Sequence, residues 1–293
     1  MPDTRALYLN RFRRVLAHID THLGQPLDLA TLAAVADFSP FHFHRQFAAL
    51  FDITVDEYVR LRRMKRAAYR LAFREGQPIV DIALESGYAS PEAFARAFRK
   101  LAGQSPSEFR RAPDWSTWHA TQPTSITLRE LNMPLTFNDD AVRLVHTDDI
   151  RVAVLRHHGD PARIGDSLRR FINWRRQAQL PPRVSATYNL LHDDPELVAT
   201  EDHRFDLCAA TSRPVSENVH GVVEGVIEGG RCAVLRHTGS DDGLAAAVRW
   251  LYGDWLPRSG EVLRDFPLYL QRVRFFPEVP EHEAVSDIFL PLR

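Results

Sequence analysis

Apolar residues in the first third of the chain recur every three or four positions, as they do from Phe12 to Ile19. This is the spacing of a buried helix face, and it continues helix after helix through residues 8–111. Ser39 and Ser90 are each followed by proline. Serine at the N-cap and proline at the first helical position both favour a helix start. The pattern therefore predicts an all-α N-terminal domain over residues 8–111.

The helical pattern occurs twice, with the second copy 51 positions after the first. The repeated core positions are Phe43 with Phe94, Phe47 with Phe98, and Leu50 with Leu101. Thr54 and Ser105 are each followed three residues later by glutamate, which predicts a capping box in each copy. Agreement in caps, turn and core together indicates a duplicated helix-turn-helix unit.

Beyond Arg111 the pattern changes, because Pro113 cannot continue a helix. Residues 112–123 are polar and predict an irregular linker. Strand-like runs then cover 142–146, 151–158, 185–191, 205–211, 268–273 and 286–291, with amphipathic helices over 161–179 and 242–256. Residues 153–159 recur as 233–239, so residues 124–293 predict an α+β domain of two similar halves. We expect each half to be a β-hairpin, a helix and two more strands, in two sheets or one continuous sheet. The glycines of 221–230 are likewise interpreted as a hairpin.

The charge distribution separates these two parts. Residues 1–112 carry 17 Lys and Arg against 12 Asp and Glu, whereas the remainder carries 20 against 26. A basic N-terminal third joined to an acidic remainder favours a nucleic-acid-binding part attached to a different kind of module.

The second helix of a helix-turn-helix lies in the major groove, so its outward side chains are candidates for DNA contact. The apolar faces predict that the outward candidates are Phe41, His44 and Arg45 in the first unit and Glu92, Arg96 and Arg99 in the second. Arg45 and Arg96 each lie six residues past the capping serine, where arginine can bind guanine bidentately or a phosphate. For Phe41 two interpretations stay open, namely contact with a thymine methyl and a core position. The helix between the units has about twenty residues and spans roughly 30 Å, close to one duplex turn. A monomer could then bind two successive major grooves.

The N-terminal part resembles the arabinose-regulator (AraC) family of bacterial transcription factors. The likeness rests on the stretches 32–33, 39–47, 79–88, 94–99 and 103–110, the first turn being Ser39-Pro40-Phe41-His42-Phe43. It implies sequence-specific binding to promoter DNA through both units, with contacts from the candidate positions, and it leaves a contact with RNA polymerase open. Ala93 and Ala95 offer no polar groups for base contacts, so we expect sequence specificity to come mainly from the first unit.

Residues 124–293 resemble the GyrI-like effector-binding domain. The likeness rests on the repeated Ala-Val-Leu-Arg-His strands, on Trp250 and Trp255, and on the ending 285–292. It implies a pocket between the two halves, lined by aromatic residues and often holding a carboxylate for cationic ligands. No acidic residue stands between Asp265 and Glu278 here, so we expect a small, largely apolar or aromatic effector without cation selectivity. The candidate ligand-binding residues are Trp174, Tyr188, Tyr269, Gln271 and Asp287, and Asp287 is the one whose side chain could overturn this expectation.

An enzyme is the alternative, in which the C-terminal domain is a hydrolase fused to a DNA-binding module. The chain lacks a GxSxG elbow and a P-loop, and neither its histidines nor Cys208 and Cys232 have metal-ligand spacing. We therefore expect no catalytic residues, cofactor or metal, and a ligand-responsive regulator as the function. Without an apolar signal core, a disulfide framework or an 18-residue apolar run, we expect a cytoplasmic protein with no membrane partner.

Overall fold

The computed structural model describes residues 4–74, 76–120, 137–194, 197–276, 278–279 and 281–293. These residues form two compact units. The first holds the described residues up to 120 together with 281–282, and the second holds 137–279 and 283–293. The predicted boundary between residues 123 and 124 lies outside the described residues.

The described part of the first unit is helical, as predicted. Its helices are α1 (Thr4–Thr21), α2 (Leu29–Val35), α3 (Pro40–Phe51), α4 (Val55–Phe73), α5 (Ile79–Glu85), α6 (Pro91–Ala102), α7 (Pro106–Arg111) and α8 (Trp115–Ala120). Helices α2 and α3 form the first helix-turn-helix, and α5 and α6 form the second. The duplicated unit predicted from the repeat is therefore confirmed.

The helix starts follow the local caps that the sequence contains. The Ser39 hydroxyl accepts a hydrogen bond from the amide of His42, and that of Ser90 accepts one from the amide of Ala93. Ser105 and Glu108 form the complete, reciprocal capping box. At the start of α4, the Thr54 hydroxyl accepts a hydrogen bond from the Glu57 amide. The Glu57 side chain does not complete the box, because it pairs with Arg60 at 3.1 Å. The predicted box is thus complete in the second unit only.

The repeated phenylalanines form the two cores of this unit. Phe43 and Phe47 are fully buried in the first helix-turn-helix, and Phe94 and Phe98 are fully buried in the second. Gly87 lies at the turn between α5 and α6 with φ +83, and a Cβ there would come within 2.7 Å of the Arg63 guanidinium. Both the backbone conformation and the close approach of Arg63 favour glycine at this turn.

The prediction of an irregular linker over 112–123 is wrong for its central part, which forms helix α8. Trp115 stacks on Phe73 with centroids 5.7 Å apart, and Trp118 stacks on Phe98 at 6.1 Å. Trp118 is only 1% exposed. Burial of two indole rings stabilises a helix that is too short to be stable alone.

The second unit is a single eight-stranded antiparallel sheet with helices. Its strands are β1 (Val142–Thr147), β2 (Ile150–His158), β3 (Thr187–Leu191), β4 (Arg204–Ala210), β5 (Val223–Ile227), β6 (Gly230–Thr238), β7 (Leu268–Arg274) and β8 (Val285–Pro291). Its helices are α9 (Ile164–Gln177), α10 (Leu244–Trp250), a π-helical turn (Leu251–Trp255) and α11 (Leu256–Ser259). The strand order is β1-β6-β8-β7-β3-β4-β2-β5, so the sheet is continuous rather than split in two.

The two predicted hairpins are wrong in their pairing, because the strands joined by short turns do not pair with each other. Strand β1 pairs with β6 and β2 pairs with β5, so the two halves exchange their first strands. The connection from β1 to β2 and the connection from β5 to β6 cross at close distance, since the Gly229 amide donates a hydrogen bond to an Asp149 carboxylate oxygen at 2.7 Å. A Cβ at Gly229 would lie 2.5 Å from the backbone of Asp148, so the crossing requires glycine there.

The predicted two-fold repeat of the C-terminal domain is confirmed by the strand order. Exchanging β1–β4 with β5–β8 reproduces the same order in reverse, with the pseudo-two-fold axis between β3 and β7. Strands β2 and β6, which carry the repeated sequence, occupy equivalent places and have the same burial pattern.

The sheet has a helix-covered face and a second, concave face. On the helix side, one cluster includes Phe171 and Leu155, and another includes Leu251 and Leu235. On the other side, Val154 of β2 and Val234 of β6 belong to one buried cluster, although four strands separate β2 from β6. Strands so distant in the order can share a cluster only if the sheet curls around it. We call this side the concave face.

Candidate functional site

Helix α3 presents the DNA-binding candidates of the first helix-turn-helix. Because Phe43 and Phe47 are buried, the helix turns its opposite side outward. Phe41 is 62% exposed, which excludes the core interpretation for this residue. The Arg45 guanidinium carbon lies 4.4 Å from the centre of the Phe41 ring, a cation–π contact one helical turn apart. His44 is half-buried beside them on the same helix.

Helix α6 presents the candidates of the second unit, and all three of them are exposed. Hydrogen bonds from its own amide and from the Ser90 hydroxyl lower the pKa of the Glu92 carboxyl, with a smaller contribution from the charge of Arg96. The Arg99 guanidinium lies 3.4 Å from a Glu108 carboxylate oxygen. Arg96 is thus the outward cation at the position that Arg45 occupies in the first unit.

The concave face of the C-terminal sheet brings together four of the five predicted ligand-binding residues. Tyr188 and Tyr269 lie edge to face with ring centroids 6.4 Å apart. Both belong to the buried apolar cluster of this face, and burial raises the pKa of the Tyr188 hydroxyl. Gln271 lies directly opposite Tyr188 on the neighbouring strand, and Asp287 lies directly opposite Gln271.

The Asp287 carboxylate lies on the concave face, but it already has a partner. The Arg236 guanidinium donates to both of its oxygens, at 2.7 Å each. The side chain of Asp287 is 9% exposed, whereas that of Arg236 is 54% exposed. The carboxylate is thus neutralised by a bidentate ion pair whose arginine faces solvent.

Trp174 does not belong to this surface. It lies on α9 and packs in the cluster of Phe171 and Leu155, on the helix-covered face of the sheet. Periodicity identifies Trp174 as a buried aromatic residue, but only the packing of α9 decides which face of the sheet it meets. We therefore leave Trp174 out of the proposed ligand-binding residues.

A second carboxylate on the concave face escaped the sequence analysis. Asp206 is 7% exposed and lies directly opposite Leu190 of the tyrosine-bearing strand. The Nε2 atom of His192 lies 2.9 Å from one of its oxygens. The signal was present, because Asp206 precedes Asp287 by 81 positions, the repeat distance that also separates Tyr188 from Tyr269.

The other candidate groups have structural partners. His157 contacts the Ser167 hydroxyl at 2.9 Å, and His237 contacts the Ser240 carbonyl oxygen at 2.9 Å. Cys208 and Cys232 are buried, and burial raises the pKa of the Cys208 thiol. Among the described residues no three His, Cys, Asp or Glu side chains are grouped so that they could hold a metal ion. Nor does any helix in that part of the chain have the length and apolarity needed to cross a membrane.

Comparison with known proteins assigns both units. Residues 140–293, half of the chain, match the GyrI-like small molecule binding domain, and residues 32–112 match a helix-turn-helix domain. The probable transcriptional regulator YgiV of Escherichia coli K12 is 36% identical over 152 residues, which are 52% of this chain and 95% of that protein. The right origin-binding protein of the same strain is 37% identical over 122 residues, 42% of this chain and 41% of that protein. The regulatory protein SoxS, also of this strain, is 36% identical over 96 residues, 33% of this chain and 89% of that protein.

YgiV and SoxS are named as regulators, and the matches favour regulation over the hydrolase alternative. The matched ranges also agree with the two units that the structure separates, except that residues 281–282 of the GyrI-like range lie with the first unit. The chain belongs to the GyrI-like family and is an AraC-type helix-turn-helix transcription regulator that carries a GyrI-like small-molecule-binding domain.

Proposed function

We propose that this regulator responds to a small, largely apolar molecule bound on the concave face, and that binding changes its affinity for promoter DNA. The tyrosine pair is the observation that carries the proposal. Tyr188, 7% exposed, and the fully buried Tyr269 form an aromatic pair within the apolar cluster of this face, next to a few polar groups that can orient a ligand. Concave, mostly apolar surfaces with convergent polar groups are typical of small-molecule sites.

The ion pair on the concave face supports a neutral ligand rather than a cation. A cationic ligand loses its hydration on entering an apolar site, which costs several kcal/mol unless a carboxylate compensates. Here Arg236 already occupies both oxygens of Asp287, and the Nε2 atom of His192 lies against one oxygen of Asp206, the second carboxylate of this face. Gln271, which lies between Asp287 and Tyr188 in the sheet, offers a neutral donor and a neutral acceptor.

Calorimetric titration with two matched compounds tests this ligand preference. One is 2-naphthylmethanol, and the other is its trimethylammonium analogue with the same ring system. We expect the wild-type protein to bind the neutral compound at least threefold more tightly. Arg236→Gln removes the competing cation from Asp287, so this variant should shift the preference toward the ammonium compound by about tenfold, which is about 1.4 kcal/mol.

Asp287→Asn is the matched control, because it removes the carboxylate and leaves the shape of the side chain. In the Arg236→Gln background it should abolish the gain in cation binding. A wild-type protein that clearly prefers the ammonium compound, and loses that preference in Asp287→Asn, would contradict the neutral-ligand proposal.

On the DNA side, we propose that the first helix-turn-helix supplies most of the sequence specificity. Its outward face carries Phe41, His44 and Arg45, which can contact base edges. The second recognition helix carries Ala93 and Ala95 near its start, and Arg99 there is engaged by Glu108. Glu92 and Arg96 remain its polar candidates, so fewer base contacts are available to it. The proposed macromolecular partner is duplex promoter DNA bound by both units of one chain.

A further inference from the structure

Two histidines lie one helical turn apart where helix α1 ends. His18 and His22 are the only histidines of the chain that stand four positions apart. His22 follows the last residue of α1, but its amide still donates to the His18 carbonyl oxygen at 3.1 Å, so the helical turn includes it. Side chains four positions apart lie on the same face of a helix. This pair escaped the sequence analysis, which expected no metal-ligand spacing among the histidines.

The two imidazole rings are in contact with each other. They are stacked, with ring centroids 4.1 Å apart and planes inclined by 24°. Both side chains are half-buried, so an ion from solvent can reach them. By contrast, His42 and His44 are two positions apart on α3 and point about 200° away from each other around the helix axis. The pair on α1 can therefore offer two ring nitrogens to one ion, whereas the pair on α3 cannot.

The hydrogen bond of one ring leaves its other nitrogen available as a ligand. The Nδ1 atom of His22 lies 2.8 Å from the His18 carbonyl oxygen. A carbonyl oxygen only accepts, so Nδ1 carries the proton and Nε2 holds a lone pair. Metal-binding histidines usually make such a bond with the nitrogen that does not bind the metal. Burial, and then the neighbouring His22, lower the pKa of His18, so the His18 ring is uncharged at neutral pH and also has a lone pair to offer.

The charged residues nearest in the sequence are already paired. Arg62 donates to both carboxylate oxygens of Asp20, at 2.8 and 3.0 Å, so this carboxylate is not available as a further ligand. Arg14, one turn before His18, forms an ion pair with Asp37 at 2.6 Å. In the part of the chain that the structure describes, no third His, Cys, Asp or Glu side chain completes a metal-holding group with the two histidines. Water would therefore fill the remaining coordination positions of an ion held by this pair.

We propose that His18 and His22 together bind one divalent transition-metal ion, such as Ni²⁺, Cu²⁺ or Zn²⁺, through one ring nitrogen each. Imidazole suits these metals, whereas Mg²⁺ prefers oxygen ligands. Two histidines at this spacing on a helix are a known basis for zinc binding. Affinity should be highest for Cu²⁺, in keeping with the general order for nitrogen ligands.

A bound ion would stabilise the end of α1. It would link the last turn of this helix to His22, the first residue of the turn that follows. Arg63 of α4 holds the same turn, because its guanidinium donates to the carbonyl oxygens of Leu23 and Gln25 at 2.9 and 2.8 Å. Helix α1 also packs in the core of the first helix-turn-helix through Phe12. An ion that binds only the folded state raises the stability of that state.

Calorimetric titration of the full-length chain with NiCl₂, after metal removal with a chelator, tests the site. We expect one ion per chain in the wild-type protein and no binding of MgCl₂. His18→Gln and His22→Gln each remove one ligand and should lower the affinity for Ni²⁺ at least tenfold. His146→Gln is the matched control, because it removes an exposed histidine of β1. It should stay within threefold of the wild-type affinity.

Two further measurements separate this site from binding elsewhere on the chain. The electron paramagnetic resonance spectrum with one equivalent of Cu²⁺ should show two bound nitrogens in the wild-type protein and fewer in each variant. Saturating Ni²⁺ should raise the midpoint of thermal unfolding of the wild-type protein but not that of His22→Gln. Circular dichroism checks that the variants are folded. Absence of Ni²⁺ binding by the wild-type protein, or equal binding by both folded variants, would overturn the proposal.

Discussion

Replacing Trp118 with alanine is expected to lower the free energy of unfolding of the N-terminal unit by about 3–5 kcal/mol. The indole is 1% exposed and lies against Phe98 and Phe109, each at 6.1 Å between ring centroids. Its removal leaves a cavity at the core of the second helix-turn-helix. A loss of this size approaches the whole stability of many domains, so DNA binding should fall with it. Urea denaturation followed by circular dichroism measures the change.

Val219→Ala provides the control for Trp118→Ala. Val219 is 96% exposed, so truncating it should change the free energy of unfolding by less than about 0.5 kcal/mol. If Trp118→Ala were as mild as this control, α8 would not belong to the core of the N-terminal unit.

Replacing Arg45 with alanine is expected to weaken specific DNA binding by about 1–3 kcal/mol, or roughly 5- to 150-fold. Arg45 is exposed and lies against the Phe41 ring, so its loss should leave the stability of the fold nearly unchanged. Arg96→Ala should have an effect in the same range if Arg96 contacts a base. Fluorescence anisotropy with a duplex selected from a random library by the wild-type protein measures both affinities, at one fixed salt concentration.

Arg213→Ala is the charge-matched control, because it removes one exposed arginine from the C-terminal unit. It should bind the selected duplex like the wild-type protein. Wild-type affinity in both Arg45→Ala and Arg96→Ala would show that the recognition faces are assigned wrongly.

The helix-turn-helix units could be predicted from the sequence because their determinants are local. Apolar spacing within each helix, the serine caps and the proline starts all act within a few residues, and their repetition 51 positions later made the duplication evident. Helix α8 could not be predicted in this way. Its stability comes from Trp115 and Trp118 packing on residues of α4, α6 and α7, so it depends on a core assembled from distant parts of the chain.

The C-terminal sheet shows a similar division. The 80-residue repeat predicted two equivalent halves, and the strand order confirms them. A two-residue connection between strands normally indicates a hairpin. Here the first strand of each half pairs with the opposite half of the curled sheet, so the two halves exchange their first strands.

By itself the sequence determined the two-domain organisation, the duplicated helix-turn-helix, the outward arginines and the internal symmetry of the ligand-binding domain. Each of these follows from periodicity, caps or repetition, which neighbouring residues express directly. Only the tertiary structure decided that Trp174 faces away from the tyrosine pair and that Arg236 neutralises Asp287. Sheet faces and cross-strand neighbours depend on pairing between segments far apart in the chain, and no local pattern records that pairing.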